Sequence, residues 1–209
     1  MAPDIAKDHT RTAPEPHLVL HTNSDLAIIF HDLFQEGVLV DAKVGTTVQT
    51  FLCEVLGLTP QYVEERIQTI FLNGKAVDDP LSAVIADHAA IALSAAMPGL
   101  LGATLRKGSY YAAMRGEISH EGENNLHPHE GKVLLKLFNL IPGEIGSFIL
   151  GRGVWLKGDS LKKFLEKRLL RLLEGCLRAD IDGKSVDLKK LLQQEWPADA
   201  AVFLRVCFL

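Results

Sequence analysis

Three histidines, His120, His127 and His129, stand among Glu121, Glu123 and Glu130. A His-x-His pair places two imidazoles on one side of an extended segment, and neighbouring carboxylates suit zinc or another divalent ion. The spacing matches no standard metal site. Gly122-Glu123-Asn124-Asn125 has the composition of a solvated linker, so the linker reading is preferred to a metal. Just upstream, Met97 to Gly116 holds Gly99, Gly102, Gly108 and Gly116, with Arg106, Lys107, Tyr110, Tyr111 and Arg115 between them. Glycines let a backbone approach a ligand, while arginine, lysine and tyrosine can hold an anion or stack on a flat ring. The GxxxxGK[ST] spacing of a phosphate-binding loop is absent, as are GxSxG, HExxH and GxGxxG. The simpler expectation is a connector whose Leu100, Leu101, Leu105 and Met114 dock on a sheet. His31 and Asp32 adjoin, but nothing beside them supplies a nucleophile with an oriented base. No catalytic residue is assigned and no cofactor is expected.

The elements that would position these residues follow from hydropathy. Residues 1–23 read as a flexible tail, with one short strand near Leu18-Val19-Leu20 at its end. Leu26–Phe30 and Val38–Val44, separated by the turn signal Gln35-Glu36-Gly37, predict a β-hairpin. Val48, Phe51, Leu52, Val55 and Leu56 have helical spacing, with Thr46 or Thr47 as cap and Gly57 as stop. Strands at Thr69–Leu72 and Ala90–Leu93 follow, the first ending in the turn Asn73-Gly74. The order then recurs. Lys132–Phe138 and a return strand through Phe148–Leu150 and Val154–Leu156 predict a second hairpin, bulged at Gly151 and Gly153. A helix carries Leu161, Phe164, Leu165, Leu169, Leu172, Leu173 and Cys176, with Asp159 or Ser160 as cap. The turn Asp182-Gly183 and a last strand at Ala201–Leu204 complete the repeat. Asn73-Gly74-Lys75-Ala76-Val77-Asp78 aligns with Asp182-Gly183-Lys184-Ser185-Val186-Asp187, and Phe51 aligns with Phe164. An internal duplication is therefore expected.

Strand hairpin, helix, strand with an Asn-Gly or Asp-Gly turn, and a last strand resemble the ubiquitin-like β-grasp fold. The first repeat is similar to the sulfur carriers of thiamine and molybdopterin synthesis. The likeness rests on Val44-Gly45-Thr46-Thr47-Val48, on Ile70-Phe71-Leu72-Asn73-Gly74-Lys75 and on Asp87-His88-Ala89-Ala90-Ile91-Ala92-Leu93. It implies an α+β fold of two ubiquitin-like β-grasp (β-β-α-β-β) units in tandem. The expected bounds are 24–96 and 132–209, joined by a connector and His/Glu linker at 97–131. Carriers of that family act through a terminal Gly-Gly carboxylate, whereas this chain ends Arg205-Val206-Cys207-Phe208-Leu209. Sulfur transfer on the intact chain is therefore not expected, although cleavage after Gly99 would change that.

Composition fits a folded domain protein: 209 residues, net charge −4, 47% hydrophobic and 23% charged. It argues against a disordered or collagenous chain, a disulfide scaffold and a nucleic-acid wrapper driven by bulk positive charge. Charge is uneven, with 8 basic and 14 acidic residues up to Ile118 against 14 and 12 after it. Cys53, Cys176 and Cys207 form no CxxC pair, which argues against a disulfide framework. No signal peptide, lipidation box or apolar run of membrane length is present, so a cytoplasmic protein without membrane partners is expected. Lys163, Lys167, Arg168 and Arg171 share a helix with Glu166 and Glu174 and read as a solvated face, not a nucleic-acid site. The leading expectation is a non-enzymatic tandem ubiquitin-like module that binds another protein, with a link to sulfur or cofactor metabolism implied only by the resemblance. The alternative is a ligand- or metal-dependent enzyme with its site at the connector.

Overall fold

A computed structural model describes residues 15–96, 99–111 and 127–209. The first half runs β1 (His17–Thr22), a 3-10 helix (Ser24–Phe30) continuing into α1 (His31–Glu36), and β2 (Val38–Val44). Next come α2 (Val48–Thr50), extended by a π-helical stretch (Phe51–Val55), and α3 (Pro60–Glu65). Strands β3 (Thr69–Leu72), β4 (Lys75–Ala76) and β5 (Ala90–Ser94) lead to α4 (Gly99–Leu105). The second half runs β6 (His129–Phe138), α5 (Ile141–Arg152), β7 (Val154–Lys157) and α6 (Gly158–Gly175). It ends with β8 (Cys176–Ile181), β9 (Lys184–Val186), α7 (Leu188–Gln193) and β10 (Ala201–Phe208). With the short helices α3, α4 and α7 set aside, both halves share the succession strand, helix, strand, helix, strand, strand, strand. Among the described residues no helix is long and apolar enough to cross a membrane.

Neither expected hairpin forms. The segments 26–30 and 148–150 are helical, and their buried residues show why. Leu26, Ile29, Phe30, Leu33 and Phe34 are buried at intervals of three and four, and Ile141, Ile145 and Ile149 in α5 at intervals of four. Short apolar runs do not distinguish strand from helix until the longer period is counted. Gly37 and Gly153 are accordingly helix terminators, not a hairpin turn and a bulge. Their φ angles are 112° and 103°, and their N–H groups donate to Leu33 O and Ile149 O. The expected two-residue turns do form at Asn73-Gly74 and Asp182-Gly183, all four residues having positive φ. Thr47 caps its helix, accepting from Thr50 N at 3.1 Å, whereas α6 starts at Gly158, which places Asp159 inside its first turn.

Replacing hairpins by helices changes the sheet. A tight hairpin joins antiparallel neighbours, whereas a helical crossover joins strands running the same way and carries the chain past what lies between. The result is a single ten-stranded mixed sheet ordered β4-β3-β5-β6-β2-β7-β10-β1-β8-β9. Each half lends its first strand to the other. Strand β6 lies between β2, antiparallel, and β5, parallel; β1 lies between β10, parallel, and β8, antiparallel. The halves' own strands follow one order, β4-β3-β5-β2 and β9-β8-β10-β7, but the lent strand enters between β5 and β2 in one half and between β10 and β8 in the other, so only its place differs. Residues 17–22, placed at the end of a tail by sequence, form a central strand with Leu18 and Leu20 fully buried.

Registers put Val38, Val40, Ala42 and Val44 on the same face as Val133, Leu135, Val154, Leu156, Leu204 and Leu18. Helical residues including Phe30, Phe34, Phe51, Ile149 and Phe164 join them in one core, so the helices cover this face. Phe51 and Phe164 are both buried, as expected. Charged ties fix helix to helix: Asp32 of α1 pairs with Lys167, at 2.8 Å, and with Arg168 of α6. Lys167 and Arg168 thus brace the fold rather than forming a purely solvated face. Lys167 and then Arg168 outweigh burial and hold the Asp32 carboxyl below its ordinary range.

Candidate functional site

Strand side chains alternate between faces, so what does not point to the core must point away from it. On that second face the registers align His17, Phe203, Trp155, Leu39, Leu134 and Ala90 in one row across β1, β10, β7, β2, β6 and β5. None of the six is buried, although the row is largely apolar. The rings touch: His17 and Phe203 lie 4.9 Å apart between centroids, and Phe203 and Trp155 lie 5.0 Å apart, edge on. Gly153 lets Phe203 take this position, because a Cβ there would lie 2.0 Å from the ring's Cζ.

Strands β2 and β7 share only the Leu39–Trp155 pair, and side chains reinforce that seam. The Trp155 indole N–H donates to Asp41 Oδ2 at 2.9 Å, and Lys132 Nζ donates to Asp41 Oδ1 at 2.6 Å. The same ammonium sits 4.0 Å above the Trp155 ring, a cation–π contact. Burial would raise the Asp41 pKa, but Lys132 and Trp155 outweigh it and hold the carboxyl below its ordinary value. Above Leu39, Leu134 and Trp155 lies a recess of about 380 Å³, walled by Glu36, His88 and Lys157. Its apolar floor and polar walls suit an inserted side chain and its flanks.

The residues singled out by sequence lie elsewhere. Lys107 is clamped: its Nζ donates to Val63 O at 2.6 Å and stands 3.6 Å from Glu64, and its backbone N–H donates to Gln68 O. Burial lowers its pKa, with Glu64 opposing. Lys107 thus ties the connector to α3, and it also lines a recess with Val63, Glu64, Asp78 and Gly108. Arg106 closes α4 through its N–H to Gly102 O. Tyr110, 93% exposed, meets Tyr111 edge to face at 5.5 Å. His129 pairs with Val44 at the start of β6, its Nδ1 3.0 Å from His127 O. Arg115 and His120 lie outside the described residues. Among the described residues no group of three His, Cys, Asp or Glu side chains is placed to hold a metal.

The row on the open face was missed by sequence reasoning. Its signal was alternation: Val154-Trp155-Leu156-Lys157 and Val202-Phe203-Leu204-Arg205 each place an aromatic in register with a cation, on the side opposite the aliphatic residues. No family model, no curated protein and no solved structure matches this chain.

Proposed function

We propose that the protein is a non-enzymatic interaction module of tandem ubiquitin-like kinship that engages another protein through the open face of its sheet. The observation that carries this reading is the row of His17, Phe203, Trp155, Leu39 and Leu134, half-buried or exposed among the described residues while the core helices pack on the opposite side. Aromatic anchors beside an apolar-floored recess are what protein interfaces concentrate at their centres. The helix packed across a mixed sheet in each half, with Asn73-Gly74 and Asp182-Gly183 at corresponding turns, supports the β-grasp kinship. A photo-crosslinking amino acid at Leu39 should give a discrete protein adduct in native extract. The same group at Leu170, exposed on α6, should not. Adducts from Leu170 alone, or from neither site, would refute the reading.

A further inference from the structure

We infer that the segment seated on the open face is acidic: an apolar anchor side chain enters the recess over Leu39, Leu134 and Trp155, flanked by Asp or Glu residues. This rests on the proposal that the face docks a protein. Strand registers assign to that face Lys43, Lys132, Lys136, Lys157, Arg178 and Arg205 against Asp41, Glu130 and Asp180. The face is therefore net positive on a chain whose net charge is −4. The local pairs sharpen the imbalance. Lys132 is occupied by Asp41, and Arg178 by Asp180. Lys43, Lys136, Lys157 and Arg205 have no carboxylate within ion-pair distance among the described residues, and Arg205 bonds only the neutral Gly151 carbonyl.

Position matters as much as sign. Lys136 and Lys157 both lie one pleat from the apolar row, on strands two apart, so their backbones stand about 10 Å from each other, with Lys157 in the recess wall and Lys136 beside Gly37 at its edge. Arg205 lies one pleat to the other side of the row, next to Phe203. Glu36 at the recess wall is the acidic exception, and Glu130 lies across from Lys43, at the far end of β2. An anchor residue in the recess would carry its own flanking carboxylates to Lys136 and Lys157. Nucleic acid fits less well. Base stacking needs bare ring faces, but Lys132 covers one face of Trp155, Asp41 takes its N–H, and Phe203 and His17 meet it edge on.

The Trp155 indole resonance of the full chain reports occupation directly. Three synthetic peptides sharing a central Leu-Phe, flanked by glutamates, by lysines or by asparagines, are titrated alongside a thymidine oligonucleotide. The glutamate peptide should shift the resonance and bind at least about tenfold tighter than the other two, weakening steeply between about 0.05 and 0.5 M salt. Lys136→Gln with Lys157→Gln, both surface changes, should remove most of that advantage. Equal binding of all three peptides would overturn the acidic assignment while leaving face docking intact. Tighter binding of the oligonucleotide, or no shift with any peptide, would also overturn it. Failure of crosslinking at Leu39 would instead remove the docking reading itself.

Discussion

Gly153→Ala tests the geometry of the aromatic row most sharply. Gly153 has φ 103° and ψ 148°, a conformation in which an alanine carries strain of about 1–3 kcal/mol. The added Cβ would also lie 2.0 Å from Phe203 Cζ and 2.7 Å from both Cε atoms, so the ring must leave its place. Overpacking of that kind adds about 1–3 kcal/mol. The two effects together predict a loss of roughly 2–6 kcal/mol. Gly37→Ala is the internal control: its φ is 112°, but its new Cβ meets chiefly the end of the Leu134 side chain, at 2.9 Å, which can swing aside. Gly37→Ala should therefore cost the strain alone, about 1–3 kcal/mol. Combining Gly153→Ala with Phe203→Ala removes the overlap, so the double variant should be more stable than the sum of the singles by about 1–3 kcal/mol. Urea unfolding followed by far-ultraviolet circular dichroism measures all four variants. If Gly153→Ala costs no more than Gly37→Ala, and shows no coupling to Phe203, the ring does not rest on that glycine. The row as described would then be wrong.

Truncation of either central phenylalanine, Phe51→Ala or Phe164→Ala, should cost about 3–5 kcal/mol in urea unfolding, and a loss under about 1 kcal/mol would contradict their burial. Asp32 has a folded pKa below its ordinary 3.8, so its ionised form stabilises the protein above that value and the contribution disappears as pH falls through the lowered folded value. Asp32→Asn should thus lower the melting temperature at neutral pH and flatten the acid limb of stability, and an unchanged acid limb would refute the tie to Lys167 and Arg168. Cleavage engineered between residues 112 and 126 should leave two fragments that co-elute natively and separate only in denaturant, because β1 and β6 are each held by the other fragment. Buried Cys176, its thiol pKa raised by burial, should resist alkylation until the protein unfolds; rapid native modification would contradict its placement.

Local rules were readable from the chain where local forces decide. The Asn73-Gly74 and Asp182-Gly183 turns, the Thr47 cap and the alternation of β6 need only neighbouring residues to be inferred. The segments 26–30 and 148–150 failed because a five-residue apolar run is compatible with a strand, and only Leu33, Phe34 and Ile141 reveal the longer period. A hairpin and a crossover deliver the next strand to different places, so the neighbours of β2 and β7 were not legible either. The site was hidden for a related reason. Its six residues come from six strands spread from His17 to Phe203, and no spacing along the chain brings them together. Arg106, Lys107, Tyr110 and Tyr111, by contrast, are neighbours in sequence, and the hydrogen bond from Lys107 to Val63 O is a contact that no local spacing reveals.

The reciprocal lending of β1 and β6 has a consequence for how the protein is made. While the first half leaves the ribosome, β2 and β5 have between them an empty slot, because β6 has yet to be synthesised. Strand β1 waits longer still: Leu18 finds Leu204 only when the chain is nearly finished. Neither half can bury its apolar strands by itself, and contacts so distant along the chain close slowly. Open strand edges invite pairing with other molecules. A nascent first half should therefore depend on chaperone cover until residue 138 emerges. Copies folding side by side can also fill each other's slot, so crowded synthesis favours intertwined dimers.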